Sequence, residues 1–264
     1  MAGLMAGLRP SGMSGFFFNV GRKLGHKAVP AIRKSKWIWD SLTGDEDEAL
    51  NAEKSLGTAM ATELRSVADV VNDPQLEGLV QGVCQRLTAC VKDKRRTFHC
   101  EIIADAHPNA MALPGGFIFI SGSLLELCER QEDRVAFAIG HEMAHVIRRH
   151  VWDRMVNEAV LRAASTIVAR SGRLGGWLRQ SGLPLLRSAY SRDREVEADE
   201  LGLRLAVAAG FSPAGAIALM QAVARLEPDA GALGQYFGSH PDAAQRIAHL
   251  ARLCHIFKTR TKHG

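Results

Sequence analysis

Apolar residues recur at helical spacing along most of the chain, and two short runs break that rhythm. Leu50, Leu56, Met60, Leu64 and Val67 repeat on one helical face after an acidic start, which predicts a helix over 46–71. Pro74, well suited to a first helical position, opens a second helix to about Val91. Residues 97–104 and 116–120 are rich in aromatic and β-branched side chains. The second run is bounded by Pro114-Gly115-Gly116 and Ser121-Gly122, and the pair predicts two arms of a hairpin. A short helix from Ser121 and a longer one around 132–149 follow. Residues 155–186 are loosely helical but interrupted by Gly172, Gly175, Gly176, Gly182 and Pro184. Helical spacing resumes over 192–209, 213–226 and 241–257, so the expected class is α+β, dominated by helices.

At 264 residues the chain can bury one good-sized core, and an apolar content of 47% excludes a disordered protein. No stretch approaches the 18 uncharged apolar residues of a membrane span, the nearest run, Ala159–Ala169, being short and carrying Arg162. The five cysteines are scattered without a CxxC pair, which points to buried free thiols rather than a zinc ribbon. Charge is distributed unevenly. No acidic residue precedes Asp40, while Arg9, Arg22, Lys23, Lys27, Arg33, Lys34 and Lys36 accumulate ahead of Trp37 and Trp39. Residues 1–44 therefore form an appendage to a domain spanning 45–264. Three readings of it stand: peripheral contact with anionic lipid through residues 16–39, an organellar transit peptide, or a basic arm folded on the domain. The expected location is cytoplasmic, at or near a membrane, or organellar on the transit-peptide reading. Nucleic-acid binding is not expected, because no groove-reading motif accompanies the positive charge.

The chemistry is concentrated at His141-Glu142-Met143-Ala144-His145. Residues four apart lie nearly above one another on a helix, so the two imidazoles can hold a single Zn²⁺. Glu142 is placed to act as general base toward the attacking water. A third ligand is required, and three candidates arise. The pattern that would supply a third histidine at position 151 is excluded by Arg148 and Val151. His150 lies nine residues after His141, about half a turn away on a continuous helix, which predicts a histidine facing away from the metal, at the surface or in the layer behind the ligands. The remaining candidate is the run 190–199. There Glu195 and Asp199 share a helical face, with Glu197 turned from it. One carboxylate can bind the metal while the other holds a ligating imidazole.

The pair HEMAH (141–145) and SRDREVEADELG (191–202) resembles the M48 peptidases, zinc metalloproteases of the gluzincin type, many of them membrane-linked. Two further stretches are similar to that family: Asn109–Gly116 followed by Phe117–Ile120, and Ser239-His240-Pro241 with Arg246 beyond it. The resemblance spans roughly 50–255. It implies a gluzincin-type domain with a small sheet beside the active-site helix and one Zn²⁺ per chain. His141, His145 and Glu195 would be its ligands, Glu142 the general base, and Asp199 a supporting partner. Arg246 would pair with an acid near the site or with solvent. His240 would either donate to the oxyanion or reach the metal as a latch, and Tyr190 or Tyr236 could serve the oxyanion instead. The strand segment Gly116, Phe117, Ile118 and Phe119 would present an edge to an extended substrate, and 155–186 would form a lid or a membrane-facing insertion. The implied function is a zinc endopeptidase acting on proteins or peptides, in quality control near a membrane. The alternative is an M48-like chaperone or assembly protein with latched or vestigial catalysis.

Overall fold

The computed structural model describes residues 46–66, 68–156, 190–226 and 243–260. The appendage 1–44, most of the 155–186 insertion, Tyr236 and His240 lie outside these residues. The described residues form seven helices and a small sheet, besides a helical run at 150–156: α1 (Glu46–Arg65), α2 (Pro74–Ala89), β1 (His99–Ile103), β2 (Ala110–Leu113), β3 (Phe117–Ser121), α3 (Gly122–Leu127), α4 (Glu132–Ile147), α5 (Arg192–Ala208), α6 (Ala214–Arg225) and α7 (Ala243–Arg260). The helix-dominated α+β class is as expected.

Local chemistry accounts for the ends of these elements. The first turn of α1 is acidic (Glu46, Asp47, Glu48) and its last carries Arg65, matching the helix dipole at both ends. Asp73 caps α2 by accepting from the backbone N–H groups of Gln75 and Leu76, with Pro74 as the first helical residue. Leu50, Leu56, Met60 and Leu64 are buried, as their spacing predicts. All five cysteines are free thiols.

The strand pairing differs from expectation. β1 does not form a hairpin with β3; the two run parallel, Cys100 opposite Ile118. The hairpin partner is β2, antiparallel to β3 with Ala112 opposite Ile118. The turn residues themselves explain this. Pro114-Gly115-Gly116 joins β2 to β3, with Gly115 at φ +76° and Gly116 at φ +90°, and a Cβ on Gly116 would stand 2.0 Å from the Thr97 carbonyl oxygen. The four-residue run Ala-Met-Ala-Leu lacks the β-branched signature of a strand, so periodicity passed over it. Strand order is β1-β3-β2, which makes β3 the central strand. Gly116 precedes it in the turn, and Phe117, Ile118 and Phe119 pair on both sides. The expectation that this segment offers a free edge is therefore corrected: β2 is the outer strand on one side. On the other, the end of β1 is partly covered by a bridge from Val70 to Ile103.

Helix α4 is the axis of the domain. Every residue from Val135 to Val146 is buried, as befits a helix packed all round. Its most extensive contact is with α5, and α2, α6 and β2 also pack on it. Small residues govern the α4–α5 contact. A Cβ on Gly140 would come within 2.9 Å of Gly202 O, and one on Gly202 within 2.7 Å of His141 N. Backbone thus meets backbone immediately beside the first histidine of the motif.

Gly202→Ala should accordingly destabilise the domain by about 1–3 kcal/mol through forced separation of two packed helices. Gly82→Ala, in the interior of α2 with nothing within 4 Å of the added Cβ, should instead stabilise it by about 0.5–1 kcal/mol. Thermal melts of the two variants should move in opposite directions; equal shifts would remove the close crossing as a constraint.

Candidate metal centre

Adjacent turns of α4 carry His141 and His145, and the first turns of α5 carry Glu195 and Asp199. The α4–α5 contact brings the two sets together, and all four side chains are buried: His141 at 3%, His145 at 0%, Glu195 at 1% and Asp199 at 0% exposure. Glu142, next to the first histidine, is buried too. One atom each from His141, His145 and Glu195 falls within a 4.8 Å group, the one such group among the described residues able to hold a metal ion.

The distances fit a small tetrahedral cation. His141 Nε2 and His145 Nε2 are 3.1 Å apart. Glu195 Oε2 lies 3.6 Å from the first and Oε1 3.4 Å from the second. Ligands held about 2.0–2.1 Å from a zinc ion at tetrahedral angles stand roughly 3.3 Å from one another. The outer nitrogens point to the same conclusion. His141 Nδ1 is 3.0 Å from Asp199 Oδ1, and His145 Nδ1 is 3.0 Å from His150 Nδ1. A neutral His141 that donates through Nδ1 to Asp199 has only a lone pair at Nε2. That lone pair faces the Glu195 carboxylate at 3.6 Å, an arrangement that a shared cation would favour.

Arg246, from α7, buttresses the acids. Its Nε and Nη2 donate to Asp199 Oδ2 and Oδ1 at 2.8 and 2.7 Å, and Nη1 is 3.1 Å from Glu195 Oε2. Of the two partners expected for Arg246, acid or solvent, the buried acids are the ones it meets. Burial alone would raise the Asp199 carboxyl, but the charge and hydrogen bonds of Arg246, with those of His141, outweigh it and hold the group at about 2. Asp199 is thus a carboxylate throughout the neutral range, able to accept from His141 and fix its ring.

Two neighbours of His145 were not legible as such from spacing. The first is Tyr190, whose ring stacks on His145 at 4.0 Å between centroids and 22° between planes. The Arg154 guanidinium lies 3.5 Å over the same tyrosine ring. Burial raises the Tyr190 hydroxyl well above the usual tyrosine value, so it stays protonated. The second is His150. It is buried at 3% exposure with its ring against the outer nitrogen of His145, so it stands in the layer behind the candidate ligands, as one of the two readings had it; the surface alternative and the half-turn placement are corrected. The reason is local. Helix α4 ends at Ile147, Arg149 adopts φ +58°, and helix resumes at residue 150 in a new phase, so a half-turn count from His141 does not apply. Glu197, turned from the Glu195–Asp199 face as expected, meets His150 Nε2 at 3.1 Å. Burial lowers the His150 pKa, against the upward pull of Glu197. A left-handed residue that is not glycine leaves no mark in the sequence, which is why this contact is hidden there.

The remaining histidines of the described residues stand apart from this group. His99 stacks on Phe117, His107 pairs with Asp105 at 3.3 Å, His249 with Glu200 at 3.1 Å, and His255 is exposed. Among the described residues, no helix is long and apolar enough to cross a membrane.

Known proteins are similar to this chain. The chain is 33% identical over 173 residues to the mitochondrial metalloendopeptidase OMA1 of Schizosaccharomyces pombe, covering 64% of this chain and 50% of that protein. It is 33% identical over 147 residues to the metalloprotease LoiP of Escherichia coli, covering 54% and 57% respectively. Similarity to the beta-barrel assembly-enhancing protease of Escherichia coli is lower, 24% over 178 residues, covering 62% of this chain and 36% of that one. The chain thus spans about half the length, or less, of these curated relatives. The model of peptidase family M48 matches residues 73–253, which takes in the sheet, α4, α5 and Arg246, and the chain belongs to that family.

Proposed function

We propose that this protein is a zinc-dependent endopeptidase that hydrolyses peptide bonds in polypeptide substrates. The observation that carries the proposal is the convergence of His141 Nε2, His145 Nε2 and the Glu195 carboxylate at edges of 3.1–3.6 Å, with Glu142 buried beside them. These three side chains would hold the ion. A bound zinc supplies Lewis acidity toward the scissile carbonyl and the attacking water. Glu142 accepts the proton of that water and returns it to the leaving amine. Asp199, fixed by Arg246, orients His141. An extended substrate would pair with a strand edge, and β2, the outer of the three described strands on its side, is the candidate in place of β3. His240 retains two readings, oxyanion donor or latch, and lies outside the described residues.

Two variants separate metal holding from proton transfer. Glu142→Gln should keep about one zinc per chain while peptide hydrolysis falls by about 10²–10⁴-fold. Glu195→Ala should lose or greatly weaken zinc binding. Elemental analysis beside a fluorogenic peptide assay reads both. Normal cleavage by Glu142→Gln would remove the base from the mechanism, and an inactive wild type that binds zinc would favour the chaperone or assembly alternative.

The acid-free, aromatic-tipped segment 16–39 supports a second element of the proposal, peripheral contact with anionic membrane surfaces and hence work on membrane-associated proteins. Each basic residue near such a surface contributes about 1 kcal/mol. Neutralising Arg22, Lys23, Lys27, Arg33, Lys34 and Lys36 to Gln should therefore reduce co-sedimentation with anionic vesicles at least tenfold. Equal sedimentation of both proteins, or of wild type with neutral vesicles, would contradict the lipid reading.

A further inference from the structure

Each ring of the motif uses its outer nitrogen differently. His141 meets a carboxylate directly, Asp199 Oδ1 at 3.0 Å. His145 meets another imidazole, His150, Nδ1 to Nδ1 at 3.0 Å, and His150 reaches Glu197 Oε2 through Nε2 at 3.1 Å. Two nitrogens of the same kind at that distance can share only one proton, so one ring donates and the other accepts. The metal site decides which. His145 Nε2 stands 3.1 Å from His141 Nε2 and 3.4 Å from Glu195 Oε1, and it can ligate only with a free lone pair. The neutral His145 ring then carries its proton on Nδ1 and donates it to His150 Nδ1. His150 in turn carries its proton on Nε2, where Glu197 accepts it. The opposite assignment, with His150 donating, would move the His145 proton to Nε2 and block the ligand atom. One arrangement satisfies every atom.

We propose that His150 is a positioning residue for the metal site, accepting the Nδ1 proton of His145 and donating its own to Glu197, so that His145 is held in the ligating tautomer. The inference rests on the zinc reading above. It also explains the turn at Arg149, whose φ of +58° costs backbone energy and resets the helix so that His150 falls behind His145. With both rings buried, water has little access to replace this acceptor. His150 therefore plays for His145 the part that Asp199, backed by Arg246, plays for His141. The residue that ends the chain, Glu197, keeps its side chain 53% exposed, so its effect should be the smaller.

The test measures zinc affinity of the full chain by competition with a chromophoric chelator, alongside the visible spectrum of the cobalt(II)-loaded protein. His150→Phe fills the space without an acceptor and should weaken zinc binding about 10–100-fold. His150→Asn places an amide oxygen near the Nδ1 position and should recover most of that loss. Glu197→Ala should weaken the wild type by a smaller factor and have no effect in the His150→Phe background. The cobalt spectrum should shift in the Phe variant and return in the Asn variant. Wild-type affinity in His150→Phe, or an Asn variant no better than Phe, would overturn the proposal. Should His150→Phe not fold by circular dichroism, Glu197→Ala against Glu197→Gln decides, since Gln keeps an acceptor oxygen; equal affinities then count against it. Glu195→Ala is the control: if wild type binds no zinc the underlying reading falls with the inference, whereas zinc lost in Glu195→Ala but untouched in the His150 variants sinks the inference alone.

Discussion

The contact between α4 and α5 is the constraint on which everything else depends. Two imidazoles lie on one helix and two carboxylates on another, and neither helix alone can enclose an ion. Gly140 and Gly202 let the backbones approach until the carbonyl of one residue touches where a Cβ would sit on the other. Side chains of three or four carbon atoms then suffice to span the gap. A methyl group at either position would have to be absorbed by moving a helix, and a shift of a few tenths of an ångström is large beside the tolerance of a tetrahedral site.

The second constraint is charge. Glu142, Glu195 and Asp199 are buried, and the buried Arg246 pairs with the latter two. Burying carboxylates without compensation is costly, and the Arg246 guanidinium offsets part of that cost. A divalent cation held by His141, His145 and Glu195 would add to that compensation. Arg246 appears in two roles at once: it fixes Asp199 as a partner for His141, and it shares Glu195 with the ligand site. Helix α7 thereby becomes part of the site, although no ligand comes from it.

Much of this was legible in the sequence because helical periodicity is a rigid ruler. His141 and His145 at i and i+4, and Glu195 and Asp199 at the same spacing, had to share faces once the segments were helical. Pairing between elements was less legible. The alanine-rich run of β2 carries no strand signature, so β3 looked like an edge when it is the centre of the sheet. The ruler also fails where the helix does. Counting nine residues from His141 puts His150 on the far side, but the turn at Arg149 brings it back against His145. A glycine contact such as Gly140 with Gly202 is invisible for a different reason, since it is defined by two residues 62 apart that have no side chains to betray it.

The most direct measurement is the position of zinc itself, by anomalous diffraction at the zinc absorption edge from crystals of the zinc-loaded protein. The account predicts one peak about 2.0–2.2 Å from His141 Nε2, His145 Nε2 and a Glu195 carboxylate oxygen, with an open fourth position. A peak elsewhere, or zinc bound by the two histidines with Glu195 turned to Arg246 alone, would contradict it.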